Sequence, residues 1–470
     1  MPEKIPASRP LVSAPHAPSV FLPMRFFVVA LLALFAAVAL LVQRPNVLTT
    51  YHYNQHIIAI THLLVLGWVC SVVMGAVYQL VPVALETRLH SERMAKWQFV
   101  FHLVGFVGMV WMFWRWNMKQ VGHFGTAFAV GGGLFIYNVA RTLRRAPRWN
   151  VIATAIASSL FWLGLTMLVG LSVAAGKCSY EYETPLTQSG WLRPLLRGLQ
   201  SAGAFMGRFD QMGAMHAHAH LGVLGCFVML IVGVSYRLVP MFTISELQSP
   251  RRAAWSVGLL NIGLAGAFVT ILSRSAWKPV FSLVIIAGLL LYGLELRAIL
   301  RARKRQVLDG ALKQFVTALG LLFPLAVLGA VLSWPALPLT ALTGQLESLY
   351  GFLAILGVVS LAIIGMLYKV LPFLVWFGRY SSLIGRAKVP TLAELYSTRV
   401  QAVGYWLYLA ALVVTGTGIV LAHEGVARAG CVLLAASCGA LALNVLRIFS
   451  HLIQSRAGPA PLNDPVKKFA

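Results

Sequence analysis

The sequence predicts an all-α polytopic membrane protein: twelve transmembrane helices in three four-helix units with pseudo-threefold symmetry. Three observations carry this expectation. A chain of 470 residues, 59% hydrophobic and only 11% charged, with a mean hydropathy of +0.78, has more apolar surface than a water-soluble core accounts for. Its apolar residues fall into twelve long runs separated by polar or basic breaks. A signature, Leu-Gly followed by Gly-x-x-Tyr-x-(Leu/Val)-(Val/Leu)-Pro, occurs three times: Leu66-Gly67 to Pro82, Leu224-Gly225 to Pro240 and Leu356-Gly357 to Pro372.

Taken in order, residues 1–21 are polar and Pro-rich and are expected to form a cytoplasmic tail. The apolar run that follows has no convincing small-residue cleavage site, so a retained first helix is expected rather than a signal peptide. Unit 1 (22–145) holds spans at 22–43, 55–84, 95–114 and 121–141. Unit 2 (146–305) holds 150–174, 211–242, 254–273 and 277–299; unit 3 (306–455) holds 314–334, 346–376, 402–422 and 430–450. Residues 456–470 form a second cytoplasmic tail. The signature thus falls on the second span of every unit. Because a unit has an even number of helices, successive units share one orientation, as a rotational pseudo-threefold about the membrane normal requires.

The net charge of +25 excludes little by itself, but its placement points away from nucleic acid. Most of the 38 Lys and Arg lie with the termini and the loops that follow even-numbered spans, which predicts both termini in the cytoplasm of a bacterial inner membrane. The run Arg301, Arg303, Lys304, Arg305 reads as a topology signal, with anionic-lipid contact as the alternative. The five cysteines, at 70, 178, 226, 431 and 438, have neither metal-ligand nor disulfide-framework spacing and read as packing residues.

Within the signature, Gly67, Gly75, Gly225, Gly233, Gly357 and Gly365 permit close approach of a neighbouring helix or of a flat macrocycle. Tyr78, Tyr236 and Tyr368 read as interfacial anchors. Pro82, Pro240 and Pro372 should end or kink the helix at its inner boundary. The loop from about 175 to 210 carries Lys177, Glu181, Glu183 and Asp210, and can cap a pocket, dock a partner or simply connect.

Histidine is the strongest chemical signal, because an ionisable group in a membrane needs a partner or a metal. His62 and His220 occupy the same slot before the signature; Phe352 fills it in the third repeat. In His216-Ala-His218-Ala-His220, positions 216 and 220 share one helix face and His218 points away. One helix can then serve centres on two sides, which suits two haems, or a haem and copper, better than one tetrahedral zinc. His102 is a further candidate metal ligand, with a hydroxyl, water or helix carbonyl as the alternative partner. His52 and His56, among Tyr51, Tyr53, Asn54 and Gln55, form a polar entrance or an ordinary wet helix end. Glu347, at a depth comparable to His216, is the one carboxylate placed to neutralise an iron or bound cation.

Three groups of four helices with histidines on the second and sixth resemble the catalytic subunit of haem-copper oxidases and nitric oxide reductases. The segment His218-Ala-His220-Leu-Gly-Val-Leu-Gly through Gly233-Val-Ser-Tyr236-Arg-Leu-Val-Pro240 is similar to the His-x-His helix of cbb3-type oxidases, and the chain also resembles the NnrS group of twelve-helix haem proteins. The resemblance implies that His218 binds a high-spin haem and that His62 and His220 bind a low-spin one. It departs from the oxidase pattern in two places: Leu349, Tyr350, Gly351 and Phe352 contain no histidine where His-x-His is usual, and residues 254–273 contain no copper histidines.

The expected function is therefore that of a haem-binding inner-membrane protein with one or two b-type haems and possible copper, held by His62, His216, His218 and His220. Its role would be electron transfer, or binding or reduction of a diatomic gas such as nitric oxide or oxygen. A membrane quinol, a cytochrome or respiratory subunits would be its partners within the bilayer, and nucleic acid would not. Alternatives are a copper, haem or small-solute transporter and a non-catalytic subunit of a respiratory complex. Sequence names no catalytic residue.

Overall fold

A computed structural model describes residues 19–177, 193–385 and 387–453. Cys178, Glu181 and Glu183, and nearly all of the two expected tails, lie outside the described residues. Among the described residues there is no β-strand, and eleven helices are long and apolar enough to cross a membrane; the chain is a multi-pass membrane protein. These are α1 (Phe21–Gln43), α2 (Gln55–Ala84), α3 (Glu92–Trp114), α5 (Val151–Lys177), α6 (Gln211–Thr243), α7 (Pro250–Leu272), α8 (Lys278–Arg301), α9 (Gly310–Leu332), α10 (Ala341–Leu383), α11 (Thr398–Val420) and α12 (Glu424–Ile453). The remaining long helix, α4 (Met118–Leu143), covers the expected span at 121–141 but is less apolar. Its Gly131, Gly132, Gly133, His123 and Asn138 dilute its hydropathy, yet its backbone lies so close to α3 that a Cβ on Gly105 would be 2.5 Å from the Phe128 nitrogen.

The helices start where side-chain acceptors meet free backbone N–H groups. Asn54 caps α2, accepting from His56 and Ile57 at 3.1 and 3.0 Å. Asp210 caps α6 through Gly213, and Thr340 and Thr343 form a capping box on α10. Short links pair α3 with α4, α7 with α8 and α11 with α12 as hairpins, while α1, α5 and α9 pack on α2, α6 and α10 respectively. α4 packs on α5, α8 on α9, and α12 back on α1. This chain of contacts closes around the three signature helices.

Each signature helix changes winding at the same register. Directly after His62, His220 and Phe352 come π-helical segments, Leu63–Cys70, Leu221–Val228 and Leu353–Ser360. A π turn is uncommon, usually appears as an isolated bulge, and is frequent at functional sites. The segment in α10 packs against those of α2 and α6, and the Trp68 Nε1–H donates to Ser360 Oγ at 3.0 Å across this junction. Tyr408 OH donates to the Leu356 carbonyl at 2.8 Å, supplying a partner to one of the loosened turns.

The signature glycines are helix-packing residues. A Cβ on Gly75 would meet Phe26 of α1 at 2.9 Å, one on Gly233 would meet Ala155 of α5 at 2.4 Å, and one on Gly365 would meet the Ala311 carbonyl of α9 at 2.7 Å. The signature tyrosines depart from their expected place at the membrane interface. Tyr78, Tyr236 and Tyr368 are buried, because the third and fourth helices of each group cover them. Tyr78 donates to Gln98 at 3.3 Å, Tyr368 accepts from Asn444 at 3.3 Å, and Tyr236 packs edge-on against Tyr292. Pro82 and Pro240 stand within a turn of their helix ends, as expected, whereas α10 runs on past Pro372 to Tyr380.

A second threefold recurrence has no obvious sequence signature. Ser91, Ser249 and Ser397 cap α3, α7 and α11. The backbone N–H of each donates to a side chain one helix further on: Asn138 at 3.0 Å, Glu295 at 2.9 Å and Asn444 at 2.9 Å. Glu295, a carboxylate where the other two positions are amides, also accepts from the Gln248 amide at 2.7 Å and pairs with Arg252 at 3.2 Å. It is a structural clamp.

Candidate functional site

The histidines gather in the half of the bundle before the π segments. From the π segments onward α2, α6 and α10 are almost continuously buried, whereas most residues before them, including His62, His216, His218, His220 and Tyr350, are half-buried. The bundle is thus packed tightly in one half and loosely in the other, and the imidazoles line the loose half.

His62 and His220 are held identically. In each, ring Nδ1 lies 2.8 Å from the carbonyl four residues earlier, Ile58 and His216 respectively. A carbonyl can only accept, so the proton is on Nδ1 and the Nε2 lone pair faces away from its own helix. That is how a metal-binding imidazole is usually oriented, with the far nitrogen donating to a backbone oxygen. His62 lies against Phe113 of α3, with ring centroids 4.4 Å apart. His220 stacks on Tyr350 of α10 at 5.7 Å, and its Nε2 is 3.4 Å from the tyrosine OH, a long contact.

The predicted division of faces on α6 is reflected in the contacts. His216 and His220 both turn toward α10, where they meet Glu347 and Tyr350. His218 turns to α5, packing over Gly170 so that a Cβ there would be 2.8 Å from its ring. It stays within electrostatic reach of His62. Its Nδ1 is buried with no close hydrogen bond among the described residues, although the Thr166 backbone acts on the ring.

His102 stands apart. Its Nε2 hydrogen-bonds Ser71 Oγ at 2.8 Å, and Phe26, Phe106 and Phe128 surround its ring. Counted from the serine cap of its helix it occupies the register of Tyr408, which likewise bonds a signature helix. None of the other candidate histidines is among its contacts in the described residues.

At the outer end of the cluster His52, His216 and Glu347 converge, their nearest ligand atoms all within 4.8 Å of one another. The two Nε2 atoms are 3.1 Å apart, and His52 Nε2 is 3.7 Å from Glu347 Oε2. His52 lies outside the spanning segments, and burial holds its pKa below the usual imidazole range. Asp210, nearby, is already engaged. Burial alone would raise its carboxyl pKa, but the Gly213 amide and Arg274, at 2.6 Å, bring it below the ordinary carboxylate value.

The helix end around His56, which the sequence leaves as a polar entrance or an ordinary wet end, borders a partly open pocket of about 280 Å³ lined by Arg44, Asn46, Tyr51, Tyr53, Asn54 and His56, among others. Arg44 lies over Trp114 and 3.4 Å from His56 Nε2. Lys177, at the end of α5, donates to Tyr53 OH at 2.6 Å, and Gln345 of α10 donates to the Thr49 carbonyl at 3.0 Å. These contacts bring the segment before α2 onto the end of α5 and the start of α10. Helix Arg193–Met206, within the loop from about 175 to 210, packs on the end of α5 where Gly176 and Gly203 meet.

The sequence reading singled out His216 and Glu347 separately and left His52 as a helix-end residue. Their meeting was not legible, because it depends on how three distant segments pack. The chain matches no protein-family model, and no curated protein aligns with it significantly.

Proposed function

We propose that the protein is a haem-binding protein of the bacterial inner membrane, built as three four-helix units about a pseudo-threefold axis and allied to the haem-copper oxidase superfamily. It would act in electron transfer or in binding or reducing a diatomic gas such as nitric oxide or oxygen. The recurrences in α2, α6 and α10 support the architecture: the π segment after the histidine slot, the glycine contact with the preceding helix, and the serine clamp two helices later. The distribution of Lys and Arg supports cytoplasmic termini.

One observation carries the haem assignment: His62 and His220, in equivalent slots, both have Nδ1 tied to a helix carbonyl and Nε2 turned away from their own helix into the loosely packed half, where His220 makes only a long 3.4 Å contact with Tyr350. His218, whose Nδ1 makes no close hydrogen bond among the described residues and feels the Thr166 backbone, adds a third imidazole on the same helix as His220. This donor set fits b-type haem, which neutral imidazole ligates well; the chain has no Cys-x-x-Cys-His for covalent attachment. His62 and His220, with His218 beside them, would hold it, while His216 faces His52 and Glu347. When bound, haem would supply a one-electron couple and, at any position without an axial histidine, an open site for a diatomic ligand. Copper would draw on the same imidazoles or on His102, whose Nε2 is held by Ser71 and whose Nδ1 is buried without a partner among the described residues.

The direct test is the oxidised and reduced absorption spectrum of the purified chain, with haem extraction and metal analysis. His62→Ala and His220→Ala are each expected to abolish or shift the haem bands. Wild-type protein without haem absorbance, or both variants with unchanged haem content and coordination, would overturn the reading. The haem-free result would favour a solute transporter.

A further inference from the structure

We propose that His52, His216 and Glu347 form a binding site for a divalent first-row transition-metal ion at the outer mouth of the bundle, separate from the haem ligands. The three residues come from the segment before α2, from α6 and from α10, so the ion would tie together the outer ends of the three signature helices.

The geometry is close to that of a bound site. Two ligands each about 2.0–2.1 Å from a tetrahedral ion lie roughly 3.3 Å apart. The two histidine nitrogens are 3.1 Å apart and the nearer carboxylate oxygen is 3.7 Å from His52. The three ligand atoms all lie within 4.8 Å of one another, so a rotation of the half-buried Glu347 carboxylate toward the imidazoles would let all three reach one ion. No hydrogen bond to the Glu347 carboxylate is found among the described residues, although it faces two imidazoles.

The donor chemistry narrows the class of ion. Two neutral imidazoles and one carboxylate suit zinc with an open fourth position, or ferrous iron with several open positions, and are poor ligands for magnesium or calcium, which prefer oxygen. Asp210 is unsuited as a fourth protein ligand because Arg274 and the helix cap hold it. With side-chain exposures of 15% for His52 and 31% for Glu347, the open positions would be reachable by water or a small ligand. Lys278, within electrostatic reach of Glu347 and His216, offsets part of the negative charge and would moderate affinity without blocking coordination.

The test uses tag-free, chelator-treated full-length protein in detergent, titrated with cobalt(II) as a spectroscopic probe and then with zinc(II) in competition. One saturable cobalt site with ligand-field bands is expected, displaced by zinc, and weakened at least tenfold by Glu347→Gln and by His52→Ala. Glu347→Gln is nearly isosteric and decides the matter if His52→Ala does not fold. The site should survive in His62→Ala and His220→Ala, whatever those variants do to haem. Absence of saturable binding, or equal binding in wild type and Glu347→Gln, would overturn the proposal. So would loss of cobalt in His62→Ala or His220→Ala with Glu347→Gln unaffected.

Discussion

A histidine in a membrane helix has two ring nitrogens to satisfy, and in this protein the partners separate the candidates. His62 and His220 satisfy one nitrogen within their own helices, while His102 uses its Nε2 on Ser71. The same accounting explains Glu295, a fully buried carboxylate that accepts two backbone amides and pairs with Arg252. Glu295→Ala would strand the two backbone donors and is expected to cost about 1–3 kcal/mol, the scale for leaving buried hydrogen-bond groups unpaired, while the partly exposed Arg252 returns to solvent. Glu295→Gln keeps a carbonyl acceptor for the amides and should cost clearly less. Thermal unfolding in detergent distinguishes the two; equal losses would mean that the charge, and not the acceptor geometry, matters. The depth and face of each α6 histidine were legible from spacing. Which nitrogen was already engaged was not, since the engaging groups include a serine on another helix.

At the scale of the helix, the signature describes packing more than chemistry. Gly233 lets α6 lie against Ala155, and an added methyl at 2.4 Å has no room. Gly233→Ala is expected to lower stability by about 1–3 kcal/mol, the usual penalty for overpacking. Gly258→Ala, on α7 with nothing within 4 Å of the new methyl, should be neutral or slightly stabilising through helix propensity. A comparison of the two melting temperatures checks this, and equal effects would remove the packing explanation. Helix positions were readable from hydropathy because span length is set by the bilayer. The π segments were not, because Leu63–Cys70, Leu221–Val228 and Leu353–Ser360 are ordinary apolar sequences whose winding depends on the helices they contact. The tyrosines illustrate the same limit: position near a helix end suggested an interface, but neighbouring helices bury all three.

Over the whole molecule, contacts from α4 to α5, α8 to α9 and α12 to α1 close the outer helices around the signature helices. Side chains such as Trp111, Trp406, Val413 and Leu446 remain exposed, as surfaces facing lipid should be. The basic residues predict both ends on the cytoplasmic side. Reporter fusions at the N- and C-termini should therefore both be active only as cytoplasmic enzymes; activity of either as an exported reporter would contradict that placement. What the sequence determined alone was the membrane class, the repeat and the line of histidines on α6, because hydropathy and helical periodicity are properties of residues near each other in the chain. Only the tertiary structure decided that Glu295 clamps a serine cap, that the signature tyrosines are enclosed, and that His52 meets His216 and Glu347. Each of these depends on the angle and separation at which distant helices pack, and local sequence carries no direct record of either.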